Sequence, residues 1–138
     1  NLTGLVTDTA DHWRQQHFGV GAANSGAAAD DANPAGDGIM NLLKYGLGLD
    51  PLVAYPPTAA VTSALDATGC LTMTVTKNPA ATDVNLAIEV TGDLSETGVW
   101  STSGTTVDLD TLTVLQAHDN IPIGAAPARF IRLKATRP

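Results

Sequence analysis

The sequence predicts a mainly β protein with a small α part, an antiparallel β-sandwich preceded by two short helices and a degenerate calcium-type loop. Three observations lead there. From Thr58 onward, apolar and polar residues alternate with a period of two in short runs separated by turn residues. Before that point, two stretches carry apolar residues at helical spacing. Lys and Glu are scarce while Thr, Gly and Val are plentiful, and only 15% of residues are charged and 4% aromatic. That balance favours strands and turns over long helices. With 138 residues the chain can bury the core of one compact domain, with a helical segment, residues 1–57, packed on the sandwich, residues 58–138.

Taken in order, residues 1–6 read as a short strand or an arm. Residues 7–18 read as a helix capped by Thr7 or Asp8, with Ala10, Trp13 and His17 on one side and Gly19 as its stop. Trp13 and Phe18 anchor it. Residues 21–36, rich in Ala, Gly, Asn, Ser and Asp, form an irregular connection. A second helix starts near Asp37, turns Ile39, Leu42, Leu43 and Leu47 inward, and ends at Gly46 and Gly48. Asp50-Pro51 and Pro56-Pro57 make an extended link.

The strands follow. Leu71, Met73 and Val75 alternate with Thr72, Thr74 and Thr76, and Leu86, Ile88 and Val90 alternate with Ala87, Glu89 and Thr91. Val107 and Leu109, then Leu112 and Val114, form two short runs around Asp110, and Ile131, Leu133 and Ala135 alternate with Arg132 and Lys134. Turn residues separate the runs at Asp66 to Gly69, Asn78-Pro79, Gly92-Asp93, Ser103-Gly104 and Pro122 to Pro127. The single cysteine, Cys70, reads as a small buried hydrophobe inside a strand.

The loop before the second helix has the grammar of an oxygen-ligand calcium loop, with ligands at positions 1, 3, 5, 7, 9 and 12 and Gly at 6. With Asn33 first, Ala35 falls at 3, Asp37 at 5, Gly38 at 6, the Ile39 carbonyl at 7, Asn41 at 9 and Lys44 at 12. Ala35 offers no oxygen, and Lys44 brings an ammonium where a carboxylate belongs. One reading is a weak calcium site built from Asn33, Asp37, Ile39, Asn41 and Asp50, with Asp30 or Asp31 nearby. A second makes Asp37 the helix cap, with Asn33 and Asn41 tying the loop by hydrogen bonds. A third folds the Lys44 ammonium onto Asp37 or Asp50, where it takes over the cation's work.

The run Asp37-Gly-Ile-Met-Asn-Leu-Leu-Lys-Tyr-Gly-Leu-Gly-Leu-Asp-Pro51 resembles the Asp-Gly-rich loop and helix in carboxy-terminal modules of large secreted proteins from Verrucomicrobia and related bacteria. It is also similar to a thrombospondin type 3 repeat, in which the Asp of a closing Asp-Pro joins the calcium shell. The resemblance extends over His12 to Gly19, Leu71 to Lys77, Leu86 to Val90 and Arg129 to Thr136. It implies a fibronectin III or immunoglobulin-like version of the sandwich, an extracellular or cell-surface address, and a function mostly unassigned among its members. Ala35 and Lys44 depart from the acidic pattern.

A net charge of −7 removes the basic footprint of a nucleic-acid binder and disfavours anionic lipid. No apolar run approaches bilayer length. A chain beginning at Asn1 without Met suits a processed or excised piece. His12, His17 and His118 lack ligand spacing, no nucleophile sits in an elbow or triad context, and Asp66, Glu89, Asp93 and Glu96 would form a carboxylate pair only if folding brought two of them together. Trp100, with Tyr45 or Tyr55, could stack on a sugar ring or else plug the sandwich edge. The expectation is a non-catalytic extracellular structural or adhesive module without a cofactor other than calcium. Its partners would be copies of itself, as in a filament, or neighbouring domains; the alternative is a carbohydrate-binding module of a secreted enzyme, with glycans as partners.

Overall fold

A computed structural model of the chain describes residues 9–95 and 98–137. It is mainly β, with six strands and two short α-helices. Two compact units emerge. The helical unit takes the chain up to Pro57, together with Asn78–Asn85 and the end from Ala135; the β unit comprises Thr58–Lys77 and Leu86–Lys134.

In the helical unit, helix α1 (Ala10–Phe18) is capped by Thr9, whose hydroxyl accepts the His12 N–H at 3.1 Å. The expected caps Thr7 and Asp8, and the expected strand or arm at residues 1–6, lie outside the described residues. Ala10 is buried, and Trp13 packs at a tilt against His17 and Tyr45, at 5.0 and 5.6 Å between ring centroids. Helix α2 (Asn41–Leu47) begins four residues after Asp37, so that residue does not cap it; Gly38 in a left-handed conformation and the extended Met40 intervene. Of its two expected stops, Gly46 lies buried inside the helix and only Gly48 ends it. Gly48 adopts φ +74, and its N–H closes onto the Lys44 and Tyr45 carbonyls, a conformation that a Cβ would strain.

Ala10, Leu42 and Tyr45 form a small core, with Trp13, Ala81, Val84 and Ala135 packed on it. Polar groups do much of the joining. The Asp83 carboxylate accepts the Ala10 N–H and the Tyr45 hydroxyl, and Asn78 donates its backbone N–H to Gly46 and its amide to the Tyr45 carbonyl. Arg14 is 3% exposed and donates to the Ala28 carbonyl and to Asp11 and Asp30. Arg137 closes on the same Asp30.

In the β unit, β1 (Val61–Leu65), β2 (Leu71–Thr76), β4 (Thr105–Asp110) and β5 (Val114–Asp119) form an antiparallel sheet in the order β1-β2-β5-β4. Strands β3 (Asn85–Thr91) and β6 (Phe130–Thr136), which continue across the unit boundaries, form a two-stranded sheet. Met73 and Val75 of β2, Ile88 and Val90 of β3, and Leu115 and Ala117 of β5 are buried, while Thr72 and Thr74 on the other face of β2 are not. Alternation therefore holds on β2 and β5, whereas on β3 Glu89 and Thr91, expected on a wet face, are buried along with Ile88 and Val90. Cys70 is buried as expected, but in the turn before β2 and not within the strand.

The edge behaves differently. Val107 and Leu109, read as a short apolar run, do form part of a strand but are 56% and 44% exposed. Strand β4 has a neighbour on one side only, and its register with β5 shifts between these two residues at a bulge. Leu112, expected in a strand, sits in the turn between β4 and β5 and is exposed. Asp119 is fully buried and held by Arg129 at 2.7 and 2.9 Å.

Candidate functional site

The residues singled out in the loop converge on Asp37. Gly38 takes φ +80, which allows the chain to double back so that Asp37 Oδ1 accepts the Ile39 N–H at 3.0 Å. The Asp37 N–H donates to Asn33 Oδ1 at 3.2 Å. The second carboxylate oxygen, Oδ2, accepts the Tyr55 N–H at 3.0 Å and lies 2.7 Å from Lys44 Nζ. Lys44 also donates to the Val53 carbonyl at 2.8 Å, with its ammonium 5.4 Å from the centre of the Tyr55 ring.

Lys44 is 0% exposed. Long helical side chains lean back toward the N-terminus of their helix, and for Lys44 that direction leads to the preceding loop and Asp37. The hydrogen bond from Lys44 is the largest influence on the Asp37 carboxyl and holds it down to about 2; the Tyr55 and Ile39 N–H groups act the same way, against the opposing effect of burial. The arrangement fastens residues 53–55 to the start of α2.

The other named residues divide. Asn41 is buried and donates to the Ala27 and Ala29 carbonyls at 2.9 and 2.8 Å, tying α2 to the 3₁₀ turn Gly26–Ala28; its Oδ1 meets no donor among the described residues. Asp50 is not drawn to Lys44. Its carboxylate accepts the Leu52 N–H at 2.8 Å and stands 3.8 Å from His17 Nδ1, while its own N–H donates to the Tyr55 hydroxyl. Asp30 is taken by Arg14 and Arg137.

This donor set does not fit calcium. Asn33 Oδ1 and both Asp37 oxygens already accept N–H groups or the ammonium, Ala35 has no side-chain oxygen, and Lys44 puts a positive charge against the one central carboxylate. Among the described residues no group of three His, Cys, Asp or Glu side chains could hold a metal ion.

The aromatic residues do not form a shared platform. Tyr45 is 1% exposed, so it has no face to present to a sugar; its ring packs on Trp13 and its hydroxyl reaches Asp83. Tyr55 is half-buried beside Lys44. Trp100 is also half-buried, with the Arg132 guanidinium 4.2 Å from its ring centroid, and Arg132 in turn pairs with Glu89 at 2.8 Å. Of the remaining acids named, Asp66 accepts from Thr68 and Cys70, Asp93 accepts the Ser95 N–H, and Glu96 lies outside the described residues.

The β unit also holds a cleft of about 210 Å³, lined by Leu86 and Ile88 of β3, Val107 of β4, Leu115 and Ala117 of β5, together with Thr102, Thr105 and Asp110.

Sequence reasoning missed Arg14, Asp83 and Asn78 as joining residues. Only Arg14 left a signal, an acid three residues earlier at Asp11 on the same helix. No known protein family, curated protein or solved structure matches the chain.

Proposed function

We propose that the chain is a non-catalytic structural or adhesive module of an extracellular or cell-surface protein, one that spaces or displays something larger and associates with copies of itself. Its strands form a β-sandwich of the fibronectin III kind, a reading supported by the cleft, which draws its lining from both sheets of the β unit. The extracellular address rests on the resemblance of the Asp37–Pro51 run to secreted modules.

The observation that carries the reading is the use made of the buried charges. Lys44 with Asp37, Arg14 with Asp30, and Arg129 with Asp119 each join one stretch of backbone to another. A catalytic or ligand-binding group is normally poised in a cleft with a shifted pKa and a free coordination position. Here the acid held farthest below its ordinary range, Asp37, bonds a lysine and two backbone N–H groups of its own chain.

Thermal unfolding against a panel of oligosaccharides and nucleotides tests this, alongside a glycan array. A ligand present at about a hundred times its Kd stabilises by roughly 2.7 kcal/mol, several degrees in Tm for a domain of this size. The structural reading expects no such shift and no array signal. A sugar-specific shift that Trp100→Ala abolishes would replace it with a carbohydrate-binding function.

A further inference from the structure

The four strands at the sheet margins are not equally guarded. An exposed strand edge is a template for another chain, and proteins blunt such edges with charges, bulges or coverage. Strand β4 has a bulge and carries Asp108 and Asp110. Strand β6 carries Arg132 and Lys134. Strand β3 is met by the bridge from Val90 to Ser101, with both backbone bonds at 3.0 Å. Strand β1, Val-Thr-Ser-Ala-Leu, has none of these devices among the described residues: residues 58–65 contain no charge, its five-pair register with β2 runs without a shift, and Thr62 to Leu65 are exposed.

The hydrogen-bond phase of that edge can be read off. Ala60 accepts from the Thr76 N–H and Asp66 donates to the Cys70 carbonyl, so the even-numbered residues of β1 bond to β2. Val61, Ser63 and Leu65 therefore turn their N–H and C=O groups outward. Their side chains share the face of their β2 partners Val75, Met73 and Leu71, and Leu65 is 51% exposed there.

We infer that β1 pairs antiparallel with β1 of a second copy of this chain, about a two-fold axis at Ser63. In that register Ser63 faces Ser63, and Val61 faces Leu65 in both directions. All three outward residues then become hydrogen-bonded pairs, and the four-stranded sheet continues into an eight-stranded one. The electrostatics suit it: the nearest acid, Asp66, falls opposite Ala60 of the other copy and not opposite its own counterpart. Leu65 gains an apolar cross-strand neighbour. A guarded partner edge would bring charges into this uncharged strip, so the edge best matched to β1 is β1 itself.

Two properties follow. The interface is isologous and uses up the edge, so it closes at the dimer and does not propagate into a filament. Five paired residues bury far less than the roughly 1,200 Å² of a stable complex, so association is weak and concentration-dependent. Because each chain carries a net charge of −7, screening strengthens it.

The inference deepens the self-association part of the function proposed above and is tested by sedimentation of the whole chain across protein concentration, at about 0.05 and 0.5 M salt. The expected result is a monomer–dimer equilibrium, tighter at high salt. Ser63→Pro removes an outward N–H that β2 does not use, and Ser63→Lys sets two like charges opposite each other. Each should raise the dimer Kd by about tenfold or more, equivalent to roughly 1.4 kcal/mol. Circular dichroism confirms the fold of each variant, and Ser63→Lys decides the matter should Ser63→Pro not fold. A chain that stays monomeric at every concentration and salt, species larger than a dimer, or a dimer indifferent to folded Ser63 variants would overturn the pairing. None of these results bears on the ligand panel, whose failure would strike the structural reading alone.

Discussion

In the helical unit the buried Lys44, Arg14 and Asn41 stand beside few apolar residues, Leu42 and Tyr45 among them, whereas in the β unit the buried Glu89, Thr91 and Asp119 sit within a larger apolar set, Met73, Val75, Ile88, Val90, Leu115 and Ala117. The helical unit has too little apolar surface to close on itself: its two helices are short, and the connection between them is mostly small and polar. It substitutes charge pairs and backbone-directed hydrogen bonds. The β unit has ladders and alternating strands, and can bury apolar faces directly. The difference matters because the two kinds of interior fail differently. A buried ion pair adds little net stability over a well-packed apolar pair, yet removing one partner leaves an uncompensated charge inside. An apolar contact, once truncated, costs in proportion to the cavity left behind.

The largest effect should therefore come from Lys44→Met, which strands Asp37 among backbone groups without its cation. A fall in Tm on the order of 10 °C or more is expected for the helical unit. The matching change in the β unit, Met73→Ala, should cost about 2–4 kcal/mol. The two tryptophans report separately: Trp13 packs within the helical unit and Trp100 lies under Arg132 in the β unit. In single-tryptophan backgrounds made with Trp100→Phe and Trp13→Phe, Lys44→Met should move the Trp13 transition and Met73→Ala the Trp100 transition. Equal shifts of both reporters in both variants would break the distinction between the units.

Acid should sharpen the same contrast with a smaller effect. Asp11, Asp30 and Asp37, all in the helical unit, are held below the ordinary carboxylate range, by hydrogen bonds from Arg14, Arg137 and Lys44 respectively. In the β unit Asp66 is lowered by the Thr68 hydroxyl. A carboxylate that binds its proton less tightly when folded stabilises the fold at pH values above its unfolded pKa, and that contribution disappears as pH falls through the folded value. For Asp37, held to about 2, the loss runs from about pH 4 down to about pH 2. Trp13 fluorescence should thus report unfolding at a higher pH than Trp100 fluorescence. Coincident acid midpoints would count against it.

Much of this was legible in the sequence, because the signals were local. The Gly19 stop of α1, the Gly48 stop of α2, the alternation in Leu71–Thr76 and the Asp66–Gly69 turn each depend on a few neighbouring residues. Strand β1 escaped notice since Val61–Leu65 is exposed on both faces and has no alternation to read; its only trace is the tight turn that pairs it with β2. The run at Val107 and Leu109 did form a strand, but its apolar side chains stay exposed because that strand lies at an edge with a bulge. In the loop, the spacing brought Asn33, Asp37 and Lys44 together, whereas the third contact of the clasp, Tyr55, lies 18 residues from Asp37 and carries no motif. Asp83 likewise reaches α1 and α2 from between two strands. Such long-range joins are set by the folded path and not by any local code.

The smallest expected effect is also the most informative about why the loop looks as it does. If the Lys44 ammonium occupies the place of a cation, excess calcium and EDTA should give melting curves of the unaltered chain within about 1 °C of each other, since a ligand that gains nothing on binding the folded state leaves Tm unchanged. Lys44→Glu then becomes the sharp counterpart. It restores a carboxylate at the twelfth position of the loop, frees the Asp37 oxygen that the ammonium held, and sets two like charges together. That variant should melt low in EDTA and recover in calcium, while Lys44→Met, which supplies no ligand, should melt low in both. A calcium-dependent rise of several degrees in the unaltered chain would show that the oxygens of Asn33, Asp37 and Asn41 can still gather around an ion, and the lysine would lose its role as a built-in counter-charge.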